Sequence, residues 1–257
     1  MNKQIIFLAE IFRLGKFLFA IFCHEFFKTR PPVIVYQMGK VASSSIIETL
    51  KKEKIFVFQV HRARLNNILE LRERTDKKGL RRRVEQPGRY LGSKWSKGIL
   101  KDLPIIVLFR EPLKRNISAF YQNRDYYFNH LEVGDHLQIV EEFMSNYNHD
   151  QPLDWLNSEL LYFFPEVIQN NDITNSEITN ICLLLSEFDD DLKLAKINAL
   201  LKTSIQELSL ANTSAQKYYN NSYRAVSSNI FNSKEVVRWY KEKYINTPFQ
   251  SYYENIK

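Results

Sequence analysis

The chain reads as an α/β protein, with a central, mostly parallel sheet flanked by helices in three layers. Three observations carry this. Short apolar runs at 33–36, 55–60, 104–109 and 181–185 are strand candidates, bounded by polar or Pro/Gly punctuation. A helix-forming segment at 44–53 joins the first two by short links, which is the layout of a right-handed parallel crossover. The 257 residues suffice for one substantial core and are too few for two comfortable domains.

Taken in order, residues 1–30 form an Ile-, Phe- and Leu-rich segment set apart from a single domain at 31–257 by Pro31-Pro32. Ile5, Leu8, Ile11, Phe12, Phe19, Phe22 and Phe26 recur at helical spacing, with Arg13, Lys16 and Lys28 between them. The charges keep the segment short of an uninterrupted membrane span of about 18 residues. It also lacks the small-residue cleavage site of a signal peptide. Two readings stay open for this amphipathic helix: peripheral membrane contact through residues 3–28, or packing on the domain or a second copy. The expected location is cytoplasmic, at the inner face of a membrane if the first reading holds, with a membrane-anchored lumenal enzyme as the lesser alternative.

Beyond the second strand, residues 65–101 are polar and basic, with a helical patch near Ile68, Leu69 and Leu71, a break at Pro87-Gly88 and a loop through residues 92–97. The charge of this segment suits steering of an anionic acceptor or lipid headgroups, and the Arg81, Arg82 and Arg83 cluster reads at least as well as a solvated helix face. The third strand runs into Arg110-Glu111-Pro112 and a helix reaching residue 127. Helices follow over 130–170, then a polar loop over 170–180. Asp189, Asp190 and Asp191 suit the start of a helix over 192–202. A loop over 212–221 contains Lys217, and an aromatic, charged helix spans 234–244.

The chemistry concentrates at 33–50. A strand feeds a helix through a turn with Gly39 and Lys40 and a run of small residues, Val41-Ala42-Ser43-Ser44-Ser45. Backbone N–H groups converge at such a turn, and the helix dipole favours an anion there. Lys40 adds a point charge, which at a helix start opposes the dipole unless an anion is bound. A net charge of +7 favours anionic ligands in general. Several classes are excluded. A Walker loop needs Gly where Ile34 stands and Ser or Thr where Val41 stands. No G-x-G-x-x-G, G-x-S-x-G or metal-spaced histidine pair occurs. With two cysteines, Cys23 and Cys182, there is neither a disulfide framework nor a Cys-rich zinc site, which fits a reducing compartment.

The strand-Q-M-G-K-V-A-S-S-S-I-helix stretch resembles the 5′-phosphosulfate loop of the sulfotransferases that use 3′-phosphoadenylyl sulfate (PAPS). Residues 109–121, F-R-E-P-L-K-R-N-I-S-A-F-Y, resemble their 3′-phosphate motif, with Arg110 and Ser118 at the matching interval. Residues 183–192 look like the late strand and acid-Phe-Asp helix start of carbohydrate sulfotransferases, and Asn212-Thr213-Ser214 with Lys217 like their nucleotide-covering loop. Trp155 and Glu159, in L-D-W-L-N-S-E-L, are similar to a bacterial subgroup associated with capsular polysaccharide synthesis.

The resemblance implies a P-loop-like fold and a PAPS-dependent sulfotransferase. PAPS would be held by Gly39, Lys40, Val41, Ala42, Ser43, Ser44, Ser45, Arg110, Ser118 and Lys217. Lys40 stabilises the leaving phosphate in this reading. His61, ending the second strand on the same sheet edge, is the general base, with His130 and His136 in reserve and His24 and His149 incidental. Arg62, Arg64, Lys94 and Trp95 would line the acceptor site, which takes a carbohydrate or glycolipid; neither metal nor nucleic acid is implied. Plainer readings stand beside these: Ser44 and Ser45 as helix caps, His61 as a strand-end core residue, Trp95 as a loop aromatic. The alternative functions are a kinase-like P-loop transferase and a non-catalytic polyanion- or membrane-binding protein of the same fold.

Overall fold

The structure is a computed structural model describing residues 3–66, 68, 86–123, 135–168, 179–209 and 220–252. Along the chain run α1 (Lys3–Phe27), β1 (Val33–Gln37), α2 (Ser43–Lys52), β2 (Val57–Val60), α3 (Gln86–Ser96), β3 (Ile105–Phe109) and α4 (Pro112–Gln122). Next come α5 (His136–Asn146) and α6 (Gln151–Trp155), which continues through a π-helical turn (Leu156–Leu160) into α7 (Leu161–Phe163). Then follow β4 (Ile181–Leu185), α8 (Asp190–Leu201), α9 (Asn220–Asn232) and α10 (Lys234–Tyr244).

The four strands form one all-parallel sheet in the order β2-β1-β3-β4. All five residues of β1, β3 and β4 are buried, as expected of strands covered on both faces, whereas edge strand β2 alternates half-buried and buried residues. From β1 the chain moves to β2 on one side, then returns past β1 to β3 on the other. The strand order therefore reverses at the carboxyl end of β1, and a crevice opens there of the kind in which doubly wound sheets bind ligands.

α1 packs on this sheet through its inner face. The fully buried Phe17 stacks on Phe58 of β2 at 4.1 Å between centroids, and Ile21 joins the same core. Lys28 leaves the helix with a left-handed φ of 54° before Pro31-Pro32. Two elements differ from the sequence expectation. Pro87 and Gly88 do not break a helix but open α3, because a proline in the first turn forfeits an N–H that has no intrahelical acceptor. α9 takes in the last two residues of the loop expected at 212–221 and continues through 222–232, where no element was expected; among its described residues only Val226 and Ile230 are buried apolar side chains, a sparse signal in an Asn- and Ser-rich run.

Below the sheet edge, α4, α10 and the turn at 147–151 are locked by a buried polar network. Asn116 Nδ2 donates to His149 O (3.1 Å) and to Tyr240 Oη (2.9 Å), and Tyr244 Oη donates to His149 O at 2.6 Å. Arg115 Nη1 donates to Tyr147 Oη and Gln151 Oε1 at 3.0 and 2.7 Å. His149 sits 2.6 Å from Tyr240 Oη through Nδ1, and its Nε2 is buried with no partner among the described residues. Burial, opposed by backbone hydrogen bonding, lowers the His149 pKa. The sign follows directly: the unfolded chain binds the proton first, so this contribution is intact above the ordinary imidazole value of about 6.5. It is lost as the pH falls through that value towards the lower folded pKa. The thermal stability of the wild type should therefore fall on acidification from neutrality more steeply than that of His149→Phe; parallel slopes would refute the assignment.

Candidate anion-binding site

Residues 38–42 turn the carboxyl end of β1 into α2. Three of them are left-handed: Gly39 (φ 86°), Lys40 (φ 63°) and Ala42 (φ 55°). For Lys40 and Ala42 this conformation costs about 1–2 kcal/mol each, and such strain persists only where surroundings over-determine it. Here Val41 is 1 % exposed and anchors the loop in the core, and Arg110 Nη1 donates to Lys40 O at 3.2 Å. Ala42 is the N-cap of α2 and, as an alanine, supplies no side-chain hydrogen bond. Ser43, Ser44 and Ser45 instead form its first turn, half-buried. An uncapped helix start preceded by left-handed residues makes a concavity of backbone N–H groups suited to an anion.

Arg110 comes from the end of β3 and is aimed by Glu187, in the turn after β4. Its Nε lies 3.8 Å from Glu187 Oε1, while Glu187 Oε2 accepts from the Glu111 N–H at 3.2 Å. Glu111 caps α4, accepting from the N–H groups of Leu113 and Lys114 at 2.8 and 2.7 Å. Along α4 every residue from Pro112 to Tyr121 is buried except Lys114 and Ser118, which lie one turn apart on a partly open stripe.

A small cavity of about 90 Å³ continues from the loop, with Ala42, Ser45, Leu108, Asp190 and Lys193 in its wall. Gln37, in register beside Leu108 and 1 % exposed, keeps its Oε1 without a partner among the described residues. A buried amide oxygen lacking a donor at the neck of the loop is the kind of atom a bound ligand or water satisfies.

His61 approaches from the other side. A Cβ placed on Gly39 would lie 3.9 Å from His61 Nδ1, so the imidazole stands beside the loop. The strand end carrying it is clamped between two helical elements. On one side, Trp155 Nε1 donates to His61 O at 2.7 Å. Glu159, fully buried in the π-helical turn, accepts at Oε2 from Tyr36 Oη (2.6 Å), Ala63 N–H (2.7 Å) and Arg64 N–H (3.1 Å). Three donors on one carboxylate oxygen are what lets an acid remain in the core. On the other side α3 lays Gly88 and Gly92 against the loop backbone: an added Cβ would fall 2.0 Å from Arg62 O and 1.9 Å from Ala63 O respectively. The two glycines are one helical turn apart, a spacing readable in the sequence as a close-packing face but not recognised as one.

The remaining expected residues fall as follows. Trp95 is a correction: it lies on α3 rather than in a loop, is 1 % exposed, and packs edge-on against Tyr36, Phe163 and Phe164. Its ring fills the core and presents no face to a sugar. Lys94, one residue earlier, is half-buried with its ammonium 5.4 Å from the Tyr90 ring. Arg62 is half-buried, and Arg64 stacks at 4.4 Å on Tyr162. His24 hydrogen-bonds Thr29 O at the end of α1, and His149 belongs to the network above. Lys217, His130 and the Arg81, Arg82 and Arg83 cluster lie outside the described residues, as does the side chain of His136. Among the described residues no group of three or more His, Cys, Asp or Glu side chains is placed to hold a metal ion. Past Ala63 and Arg64 a larger cavity of about 630 Å³ opens between α3, α7 and Leu14 of α1.

No protein-family model, curated protein or solved structure matches the chain. What it binds has to be argued from these residues.

Gly92→Ala should destabilise the protein by about 1–3 kcal/mol, because the methyl would meet a backbone oxygen that only a shift of the 62–64 loop can relieve. Gly15→Ala on α1, where nothing lies within 4 Å of the added carbon, should be neutral or stabilising by up to about 1 kcal/mol. Urea unfolding of the two variants checks the contrast, which fails if they shift the midpoint in the same direction.

Proposed function

We propose that the protein is a P-loop-like sulfotransferase that moves a sulfuryl group from PAPS to a hydroxyl of a carbohydrate or glycolipid. The observation that carries this reading is the apposition of His61 and the left-handed loop, within 3.9 Å of the position a Gly39 Cβ would take. An anion cradle with a proton acceptor beside it suits transfer of a charged group to a hydroxyl. The uncapped start of α2, the Arg110 guanidinium at the loop and the partnerless Gln37 Oε1 fit a polyanionic nucleotide. No metal is called for by this chemistry.

In the reaction the acceptor oxygen forms a bond to sulfur as the bond from sulfur to the 5′-phosphate oxygen breaks, leaving adenosine 3′,5′-bisphosphate. The protein's part is positioning and charge. Lys40 offsets the charge that develops on the leaving phosphate. Arg110, oriented by Glu187, and Ser118 on the open stripe of α4 hold the 3′-phosphate. His61 takes the hydroxyl proton, in an orientation set by the Trp155 and Glu159 clamp on its strand end. Membrane contact through α1 at the cytoplasmic face belongs to the same proposal.

Calorimetry and a radiolabelled sulfate-transfer assay test it. The wild type should bind adenosine 3′,5′-bisphosphate without a metal ion, and Arg110→Ala should weaken that binding about 10- to 100-fold, the worth of a charge-assisted hydrogen bond. Lys40→Ala should weaken binding and abolish turnover. His61→Ala should leave nucleotide binding intact and lower turnover by about 10²–10⁴. Tight binding of ATP-magnesium with no bisphosphate binding would instead favour a kinase-like transferase, and full turnover by His61→Ala would remove it as the base.

A further inference from the structure

α1 has two apolar faces, and the sheet uses only one of them. Leu14, Phe17 and Ile21 turn inward, whereas Phe12, Phe19, Phe22 and Phe26 are 65, 67, 44 and 68 % exposed on the opposite side. A surface helix of a globular protein needs one apolar stripe; a second, wide one marks something it docks on. The basic residues around it identify the occupant. Lys16 places its ammonium 4.5 Å over the Phe12 ring, Lys28 and Arg30 are exposed at the carboxyl end of the helix, and the whole chain is at +7. Aromatic rings bordered by cations match the boundary of an anionic bilayer. A symmetric pairing with a second copy would bring those cations together. Among the described residues no helix is long and apolar enough to cross a membrane, so α1 would lie along the surface.

The same helix walls the larger cavity. Leu14, two residues from Phe12, lines it together with Arg64, Arg89, Tyr90, Ser93 and Tyr162. Its volume of about 630 Å³ lies within the usual range for small-molecule sites. Tyrosine rings with hydroxyl donors suit a sugar, and two guanidiniums suit an anionic substituent or linking phosphate. Burial and the Glu25 carboxylate of α1 raise the Tyr90 phenol, which keeps its proton for donation. The wall begins at Ala63, two residues along the chain from His61.

We infer that this cavity takes the saccharide head of a glycolipid, presented by an anionic membrane on which the outer face of α1 rests. The substrate assignment deepens the sulfotransferase reading, while the docking itself does not depend on it. Vesicle flotation tests both parts. The probes are phosphatidylcholine alone, phosphatidylcholine with phosphatidylglycerol, and that mixture doped with monogalactosyl- or monoglucosyl-diacylglycerol. The wild type should float with the anionic vesicles about tenfold more than with neutral ones, and Phe19→Ser/Phe26→Ser should lose at least about tenfold of that binding with its circular dichroism unchanged. One of the doped glycolipids should tighten wild-type binding, and Ser93→Trp, a bulky replacement at an exposed wall position, should remove only that increment.

Absence of wild-type flotation, or equal flotation of the double Phe variant, overturns the docking. A wild-type dimer that the double variant converts to monomer makes the face a homodimer interface and overturns it too. Indifference to both glycolipids overturns the cavity assignment. Bisphosphate binding measured on the same samples separates the two proposals: its loss with flotation intact refutes the donor chemistry and leaves the membrane docking standing.

Discussion

The site rests on one buried acid. Glu159 reaches from the π-helical turn to the end of the sheet, where its Oε2 gathers the Tyr36 hydroxyl from β1 and two backbone N–H groups from the segment after β2. Leaving those donors unsatisfied in the core would cost about 1–3 kcal/mol each, so the acid and the strand end are bound to one arrangement. The π turn adds a residue to the helix, and such turns recur where a side chain must be re-aimed. Here Trp155 and Glu159 both reach the segment that carries His61. The glycine face of α3 closes the other side. Without a Cβ at Gly88 and Gly92 the helix backbone meets the loop backbone directly, leaving the strand end little room to move.

Across the crevice the logic is electrostatic. Two non-glycine residues in left-handed conformation are kept there by a buried Val41 and by the Arg110 guanidinium on the Lys40 carbonyl. The same guanidinium is near Glu187, so it is oriented before any ligand arrives and only partly neutralised at 3.8 Å. Glu111 occupies the first amides of α4 with its own carboxylate. That leaves α2, not α4, as the helix whose start has no side-chain cap. The two helix starts at the crevice thus differ in whether a carboxylate already occupies their first amides.

Strands and their neighbours were readable because their signal is local. Continuous apolar runs at 33–36, 105–109 and 181–185 suit strands covered on both faces of a parallel sheet, and every residue in them is buried. The acid run at 189–191 caps α8 as expected, Asp189 accepting from the Leu192 N–H at 2.7 Å. α3 and Trp95 were misread because Pro-Gly and Gly-Ser pairs usually mark turns. Here the glycines serve close approach of the helix to the 62–64 loop, which depends on what lies opposite. α9 was missed because two buried aliphatics in thirteen mostly polar residues form no visible period.

By itself the sequence determined the sheet, the loop at its switch point, and the residue types that can meet an anion there. Each of these follows from patterns within a few neighbouring positions. Tertiary structure decided which side chains converge: His61 onto Gly39, Arg110 onto Lys40, Glu159 onto a strand end 95 and 96 residues earlier in the chain. It also decided that Trp95 is core and that α1 keeps a second apolar face outside. The physical reason is that burial and close approach belong to pairs of surfaces, and a residue's partner across a sheet edge leaves no mark in its local sequence.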